Sequence, residues 1–340
     1  MTTKINPWRF CVAPMLDWTD RHCRYFHRQL SRHARLYTEM VTCGAIIYGD
    51  KARHLDFNAE EHPVALQLGG SDPKDLAVCT KIAQQWGYDE VNLNCGCPSE
   101  RVQRGSFGAC LMAEPKLVAD CCKAMMDVAD IDVTVKHRIG IDKIEDYSFV
   151  RDFVGTLFDT GVRTFIVHTR NAWLKGLSPK ENREIPPLKR EVAFKLKEDF
   201  PQASIVINGQ VDTLELAEEL LQKVDGVMMG RAAYKTPWVL SDVDARLFAD
   251  MHPVPTREEL IERMTQYIRR ETPKDSHVPR ATAKAMIGLL QGLAGARFYR
   301  RTLSDPAAFA ETGTEILKAA FASAGWAERL TEDRRDDDEF

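Results

Sequence analysis

The chain has 340 residues, 44% of them hydrophobic and 28% charged, with a formal net charge of −4. That length exceeds one small domain and suits a large barrel with an appendage. The balance is that of an ordinary soluble protein, and the charge excludes a global field that draws in nucleic acid, so any such site must be local. No run reaches the eighteen apolar residues of a membrane helix, and the opening MTTKINPWRF has neither an apolar core nor a cleavage site for export. Nine cysteines, an odd number without a disulfide-framework spacing, point to free thiols in a reducing cytoplasm. Cys95 and Cys97 form a CxC, Cys121 and Cys122 are adjacent, and His22, Cys23 and His27 fall on a helical stretch. No paired CxxC accompanies them, so no metal site is expected.

Eight short apolar segments recur along the chain: 10–15, 35–40, 63–69, 91–94, 134–138, 164–168, 204–209 and 226–231. Between them lie runs with apolar residues at three- and four-residue steps, notably 73–86, 115–128, 147–160 and 213–222. This alternation predicts a parallel (β/α)8 TIM barrel over residues 1–245, an α/β fold. A doubly wound open sheet is the competing arrangement, and no GxGxxG fingerprint supports it. After the linker-like Met251 to Pro255, residues 256–328 are helical in period throughout, which predicts a C-terminal all-helical domain. From Thr256 to Arg301 it holds ten Lys or Arg against five Asp or Glu. The last ten residues, 331–340, carry six acids and two bases and are expected to be a disordered tail.

The stretch Glu90 to Met112 concentrates the chemistry. Val91 and Leu93 alternate with Asn92 and Asn94 as in a strand, which meets Cys95-Gly96-Cys97-Pro98 and a loop holding Gly105 and Gly108. Pro98 cannot continue a sheet ladder, so Cys97 falls at the strand's C-terminal end, where parallel α/β proteins place their chemistry. A thiol is mostly protonated at neutral pH and can still give its proton to a carbanion or enolate. A random cysteine is more often buried structure, and Cys11, Cys23, Cys43, Cys79, Cys110, Cys121 and Cys122 are assigned to the core.

Gln67, Lys136, Arg138 and His168 end strands three, five and six. A buried cation needs an anionic ligand or a carboxylate; Glu39 or Asp89 are the ion-pair alternatives. Asn208-Gly209-Gln210 and Gly230-Arg231 follow strands seven and eight, the pair whose loops commonly hold a phosphate in barrels. The segment 168–190 is basic, with Arg170, Lys175, Lys180, Arg183, Lys189 and Arg190 beside Trp173, and Arg297 to Arg301 has the same character. Both read as solvated surface or as a nucleic-acid contact.

Taken together, Ala13-Pro14-Met15, Asn94-Cys95-Gly96-Cys97-Pro98, Lys136 to Gly140, His168-Thr169-Arg170, Asn208-Gly209 and Met229-Gly230-Arg231 resemble the tRNA-dihydrouridine synthases. Lys180 to Leu188 resembles their A-type branch, which acts on D-loop uridines 20 and 20a. The likeness runs from about Phe10 to Arg301. It implies an oxidoreductase with bound FMN, NADPH as reductant and tRNA as partner. It carries over FMN contacts to Pro14, Met15, Leu16, Gln67, Lys136, His168, Asn208, Gly209, Gln210, Gly230 and Arg231. Cys97 is implied as the proton donor. Asn94, Lys136, Arg138 and His168 are implied to hold the uracil, and Lys180, Arg183, Arg297 and Arg300 to touch tRNA. The family usually has a second glycine where Gln210 stands. A cytoplasmic monomer without an obligate protein partner is expected.

The implied chemistry is reduction of an enone: hydride adds at C6 of uracil, charge develops towards C5 and O4, and Cys97 protonates C5. Lys136 at the flavin's N1–O2 edge would stabilise its reduced anion. Two other classes share part of these features. A flavin reductase of free pyrimidines has no use for a basic helical domain. A non-catalytic tRNA-binding protein has no use for Cys97.

Overall fold

The computed structural model describes residues 6–144 and 146–326, apart from the side chain of Arg101. These divide into two compact units: residues up to 19 with 33–230, and 20–32 with 231 onward.

The first unit is a closed parallel barrel of eight strands in sequence order. They are β1 (Phe10–Val12), β2 (Arg35–Thr42), β3 (Val64–Gly69), β4 (Glu90–Cys95), β5 (Asp132–Arg138), β6 (Thr164–His168), β7 (Ser204–Asn208) and β8 (Gly226–Met229). β8 pairs back onto β1 through Cys11↔Met228. The strands stop at polar or turn-forming residues: Pro98 after β4, Gly140 after β5, Gly209 after β7 and Gly230 after β8.

Helices 73–86, 115–126 and 147–160 cross between strands. Helix 73–86 starts because the Asp72 carboxylate accepts the amides of Lys74 and Asp75, with Pro73 in the first turn. It ends where Gly87 turns left-handed at φ 97°. Helix 147–160 repeats the device with Asp146 and Gly161.

Inside the barrel, alternate residues of each strand point inward. Cys11, Tyr37, Ala65, Ile166, Val206 and Met228 form one apolar layer. Towards the N-terminal ends of the strands, Arg35 and Glu90 make a fully buried ion pair of 2.9 Å. Towards the C-terminal ends, the inward positions turn polar: Gln67, Asn94, Lys136, Arg138, His168 and Asn208. Register carries this polarity around the wall, with Asn94 beside Lys136, Arg138 beside His168, and His168 beside Asn208.

The second unit is helical. Its principal helices are 21–30, 257–271, 278–286, 296–302, 306–312 and 316–323. Helix 257–271 opens with a capping box between Thr256 and Glu259. Helix 21–30, which follows β1 in the chain, belongs here because its buried face packs within this unit. His22 Nδ1 lies 2.7 Å from the Tyr267 hydroxyl, and Tyr25 stacks on Tyr267 with ring centroids 4.1 Å apart. The compact division therefore falls at 230/231 and sets 20–32 apart, whereas periodicity alone draws the boundary between 245 and 256. The acidic stretch 331–340 and the residues from 327 lie outside the described residues. No helix among the described residues is long and apolar enough to cross a membrane.

Candidate active site

The central thiol, Cys97, stands two residues beyond the end of β4. Asn94, the penultimate residue of β4, turns its Oδ1 back to accept the amides of Gly96 at 3.0 Å and Cys97 at 2.9 Å. This side-chain turn sets the path of the loop. The Cys97 carbonyl then accepts the amide of Ala109 at 2.9 Å. Gly108 is required here, since a Cβ would stand 2.6 Å from that carbonyl and its φ is +80°. The loop thus returns on itself and holds Cys97 half-buried, while Cys95 faces into the structure, fully buried. Burial raises the Cys95 thiol well above the ordinary range, with Cys122 adding to it. Cys110, assigned to the core from sequence, is only half-buried; its Sγ lies 3.1 Å from the carbonyl of Phe107.

Beside Cys97 on the barrel rim, Asn94 Nδ2 donates to Gln67 Oε1 at 2.9 Å, and Gln67 Nε2 donates to Asn92 Oδ1 at 2.8 Å. Lys136 Nζ lies 3.1 Å from Asn208 Oδ1, and Asn208 Nδ2 donates to the carbonyl of Met228 at 2.9 Å. Neither strand cation is matched by Asp89, which pairs with His62 at 2.7 Å.

Several cations gather here. Desolvation and then Arg138 lower Lys136 to about 7. Burial, followed by Arg138, Lys136, Arg170 and Arg183, pushes His168 well below its ordinary value, so the imidazole is neutral at pH 7. Burial also weighs most on Arg138, with Arg183 and Arg170 adding to it; arginine stays protonated regardless. Arg138 is 4% exposed and clamps loops as well as contributing charge. Its Nε donates to the carbonyl of Gly96 at 3.1 Å and its Nη1 to that of Asn182 at 2.9 Å. The loop bearing Cys97 and the segment after β6 are therefore tied to one guanidinium.

After β7 two consecutive residues have positive φ: Gly209 at 124° and Gln210 at 50°. A Cβ on Gly209 would meet Thr169 Oγ1 at 2.9 Å and Leu188 at 3.0 Å, so glycine is required. Gln210 tolerates its strained backbone because its side chain accepts from Arg170 Nη2 at 3.0 Å and its carbonyl from Arg190 Nη2 at 2.9 Å. Gly230 follows β8 in the same unit, and Pro14, Met15 and exposed Leu16 follow β1, with the Met15 amide on Thr19 Oγ1 at 2.9 Å. On the segment after β6, Lys180 and Arg183 are exposed, Trp173 is 37% exposed and Ile185 58%. Buried Asn182 holds that segment by donating to the carbonyl of Trp173 and accepting its amide.

The carried-over residues at 14–16, 67, 94, 97, 136, 138, 168, 180, 183, 208–210 and 230 all lie in the barrel unit. Arg231, Arg297 and Arg300 belong to the second unit. There Arg297 is exposed and Arg300 bonds Gln291 at 2.8 Å. Sequence reasoning missed three things. Arg170 and Arg190, read only as part of a basic segment, support the Gln210 turn. Asn92 and Thr134 pass as ordinary strand residues. A cleft on the second unit is lined by Arg280 and Lys284 of helix 278–286 and by Phe309 of helix 306–312. Among the described residues no group of His, Cys, Asp and Glu could hold a metal ion.

Residues 11–324 match the family model described as dihydrouridine synthase. The chain is 55% identical over 315 residues to a tRNA-dihydrouridine(20/20a) synthase of Vibrio vulnificus, covering 92% of this chain and 96% of that one. It is 53% identical over 316 residues to the protein of that name from Pseudomonas aeruginosa, covering 91% and 95%. It is 52% identical over 318 residues to that from Synechocystis, covering 94% of each. Among solved structures, an old yellow enzyme homologue from Zymomonas mobilis superposes with a TM-score of 0.51 at 12% identity, over 74% of this chain and 92% of that one. That likeness is one of fold, a closed parallel barrel.

Proposed function

The chain belongs to the dihydrouridine synthase family, and on that premise we propose that it reduces uridines 20 and 20a of tRNA to 5,6-dihydrouridine, with FMN bound in the barrel and NADPH as reductant. The observation that carries the reading is the gathering of cations at the rim: Lys136, Arg138, Arg170 and Arg183 all act on His168, and Lys136 and Arg138 are buried at the strand ends. Such a cluster attracts an anion. FMN fits on this ground. Its phosphate suits the left-handed turn at Gly209-Gln210, where a Cβ would collide with Thr169, and the start of the segment at Gly230.

When bound, FMN supplies a hydride to C6 of the uracil after reduction by NADPH. The chain's own groups do the rest. Lys136 would offer positive charge to the bound cofactor, and Gln67 and Asn208 hold polar atoms at the same rim. His168, neutral, can donate or accept one hydrogen bond without adding charge. Asn94 and Arg138 orient the base. Cys97 gives its proton to C5 as the C5=C6 double bond is lost, and its thiolate is reprotonated from solvent. The uridine must leave its stack to reach these groups, so it is presented flipped out. Lys180, Arg183, Arg297 and Arg300 contact the tRNA backbone, with the second unit as the tRNA-binding domain and the barrel as the catalytic one. The protein acts as a cytoplasmic monomer.

The cofactor test is direct. Purified protein should be yellow, and heat should release FMN in about one equivalent. A colourless protein that takes up no FMN, or one that releases FAD, would remove this reading.

A further inference from the structure

A chain of hydrogen bonds runs through the barrel from its buried ion pair to the thiol loop. Glu90 is 0% exposed and accepts four donors: Trp8 Nε1 at 2.8 Å, Arg35 Nη1 at 2.9 Å, the Tyr37 hydroxyl at 2.8 Å and the Thr134 hydroxyl at 2.5 Å. Thr134 Oγ1 accepts from Asn92 Nδ2 at 2.8 Å. Asn92 Oδ1 accepts from Gln67 Nε2 at 2.8 Å, and Gln67 Oε1 from Asn94 Nδ2 at 2.9 Å. Asn94 Oδ1 ends the chain on the amides of Gly96 and Cys97.

Both ends of this relay are fixed by chemistry. A backbone N–H can only donate, so Asn94 must turn its oxygen to Cys97 and its nitrogen to Gln67. An ion-paired carboxylate can only accept, so the Thr134 proton must point at Glu90 and its lone pair at Asn92. The three amides between are then forced into a single orientation and none can flip. Asn94 accordingly offers a bound base an N–H donor, because its oxygen already serves two backbone amides.

We propose that Thr134 and Asn92, with Glu90 as anchor, are positioning residues for the Cys97 loop, acting through Gln67 and Asn94 to fix where the thiol stands and which polar atom Asn94 shows the substrate. The proposal rests on the reading of Cys97 as the proton donor. Hydrogen bonds in such a chain polarise one another, so breaking the lowest one loosens the highest.

The test compares Thr134→Val, which keeps the shape but neither accepts from Asn92 nor donates to Glu90, with Thr134→Ser, which keeps both bonds. Two readouts are taken on the full-length holoenzyme. One is the pH profile of iodoacetamide alkylation at Cys97, located by fragment mass spectrometry. The other is the pair of half-reactions, flavin reduction by NADPH and flavin reoxidation by unmodified tRNA. Thr134→Val should move the alkylation midpoint by about half a pH unit or more and slow the tRNA half-reaction about tenfold. Flavin content and reduction should fall far less than the tRNA half-reaction, and Thr134→Ser should restore both readouts. A Thr134→Val protein with the parent's alkylation profile and tRNA rate would overturn the proposal, as would a loss that Thr134→Ser fails to restore. Should Thr134→Val not fold, Asn92→Asp reads the same link. Ionised, Asp cannot donate to Thr134; protonated, it can. Its tRNA rate relative to the parent should therefore rise as pH falls, and a flat ratio would overturn the proposal. A parent protein inactive on tRNA would defeat the functional reading, while the alkylation profile would still report on the relay.

Discussion

Lys136 Nζ lies 3.1 Å from Oδ1 of Asn208, across the barrel rim from β5 to β7. Desolvation lowers Lys136 from its ordinary 10.5 to about 7. Between those values the unfolded chain holds a proton that the folded, ligand-free chain lacks. The contribution of Lys136 to stability therefore rises with pH from about 7 to 10.5 and is lost as pH falls through 7. An anion at the rim reverses the preference, so at pH 8 FMN binding should take up close to one proton. Calorimetry in buffers of different ionisation enthalpy measures this uptake. It should vanish in Lys136→Met, and an absence of uptake in the parent would count against Lys136 facing the anion.

Gly209→Ala should both destabilise the barrel and weaken FMN retention. The new Cβ meets Thr169 and Leu188 at a φ of 124°. The cost is expected at roughly 1–3 kcal/mol, read from urea unfolding of the ligand-free protein. Gln210→Gly should be milder, since relief of its left-handed strain offsets loss of the Arg170 bond; a change within about 1 kcal/mol is expected.

Cys97→Ala should spare flavin binding and flavin reduction and lose about 10²–10⁴-fold in the tRNA half-reaction. Cys97→Ser should also be slow, because an alcohol is a far weaker acid than a thiol. Cys95→Ala should keep turnover per bound flavin. It should nonetheless cost about 1 kcal/mol of stability, because Cys95 is fully buried and truncation leaves a cavity. Stopped-flow traces of both half-reactions, with thermal melts, separate the two cysteines. A Cys97→Ala protein at the parent's tRNA rate would remove the thiol from the mechanism.

Arg183→Ala and Arg300→Ala should each lower the slope of log affinity for tRNA against log salt by about one. Arg151→Ala is the control, since that exposed residue pairs with Asp152 on a barrel helix. Filter binding over a salt series measures the slopes; three unchanged lines would place the tRNA surface elsewhere.

Much of the barrel is legible in the chain because its signals are local. The β6 segment 164–168 and the helices 73–86 and 147–160 are bounded by caps and turn residues that act within a few positions. Cys97 and Lys136 stand out for the same reason, one before Pro98 and the other a cation inside an apolar strand. What the sequence conceals is set by register across the barrel. Asn92 and Thr134 look like ordinary strand residues until β4 and β5 pair them. Arg170 shows as part of a charge run, and only the fold brings it to Gln210, forty positions on. Helix 21–30 follows β1 with a barrel-like period, and only its packing on Tyr267 reveals that it serves the helical unit.

The most direct measurement incubates the purified protein with FMN, NADPH and tRNA transcribed without modification, then maps dihydrouridine along the product by mass spectrometry. Dihydrouridine should form at positions 20 and 20a, in step with NADPH oxidation, while free uridine under the same conditions should remain unreduced. NADPH oxidation without dihydrouridine in the tRNA, or reduction of free uridine as fast as tRNA, would contradict the assignment of this rim to a flipped tRNA base.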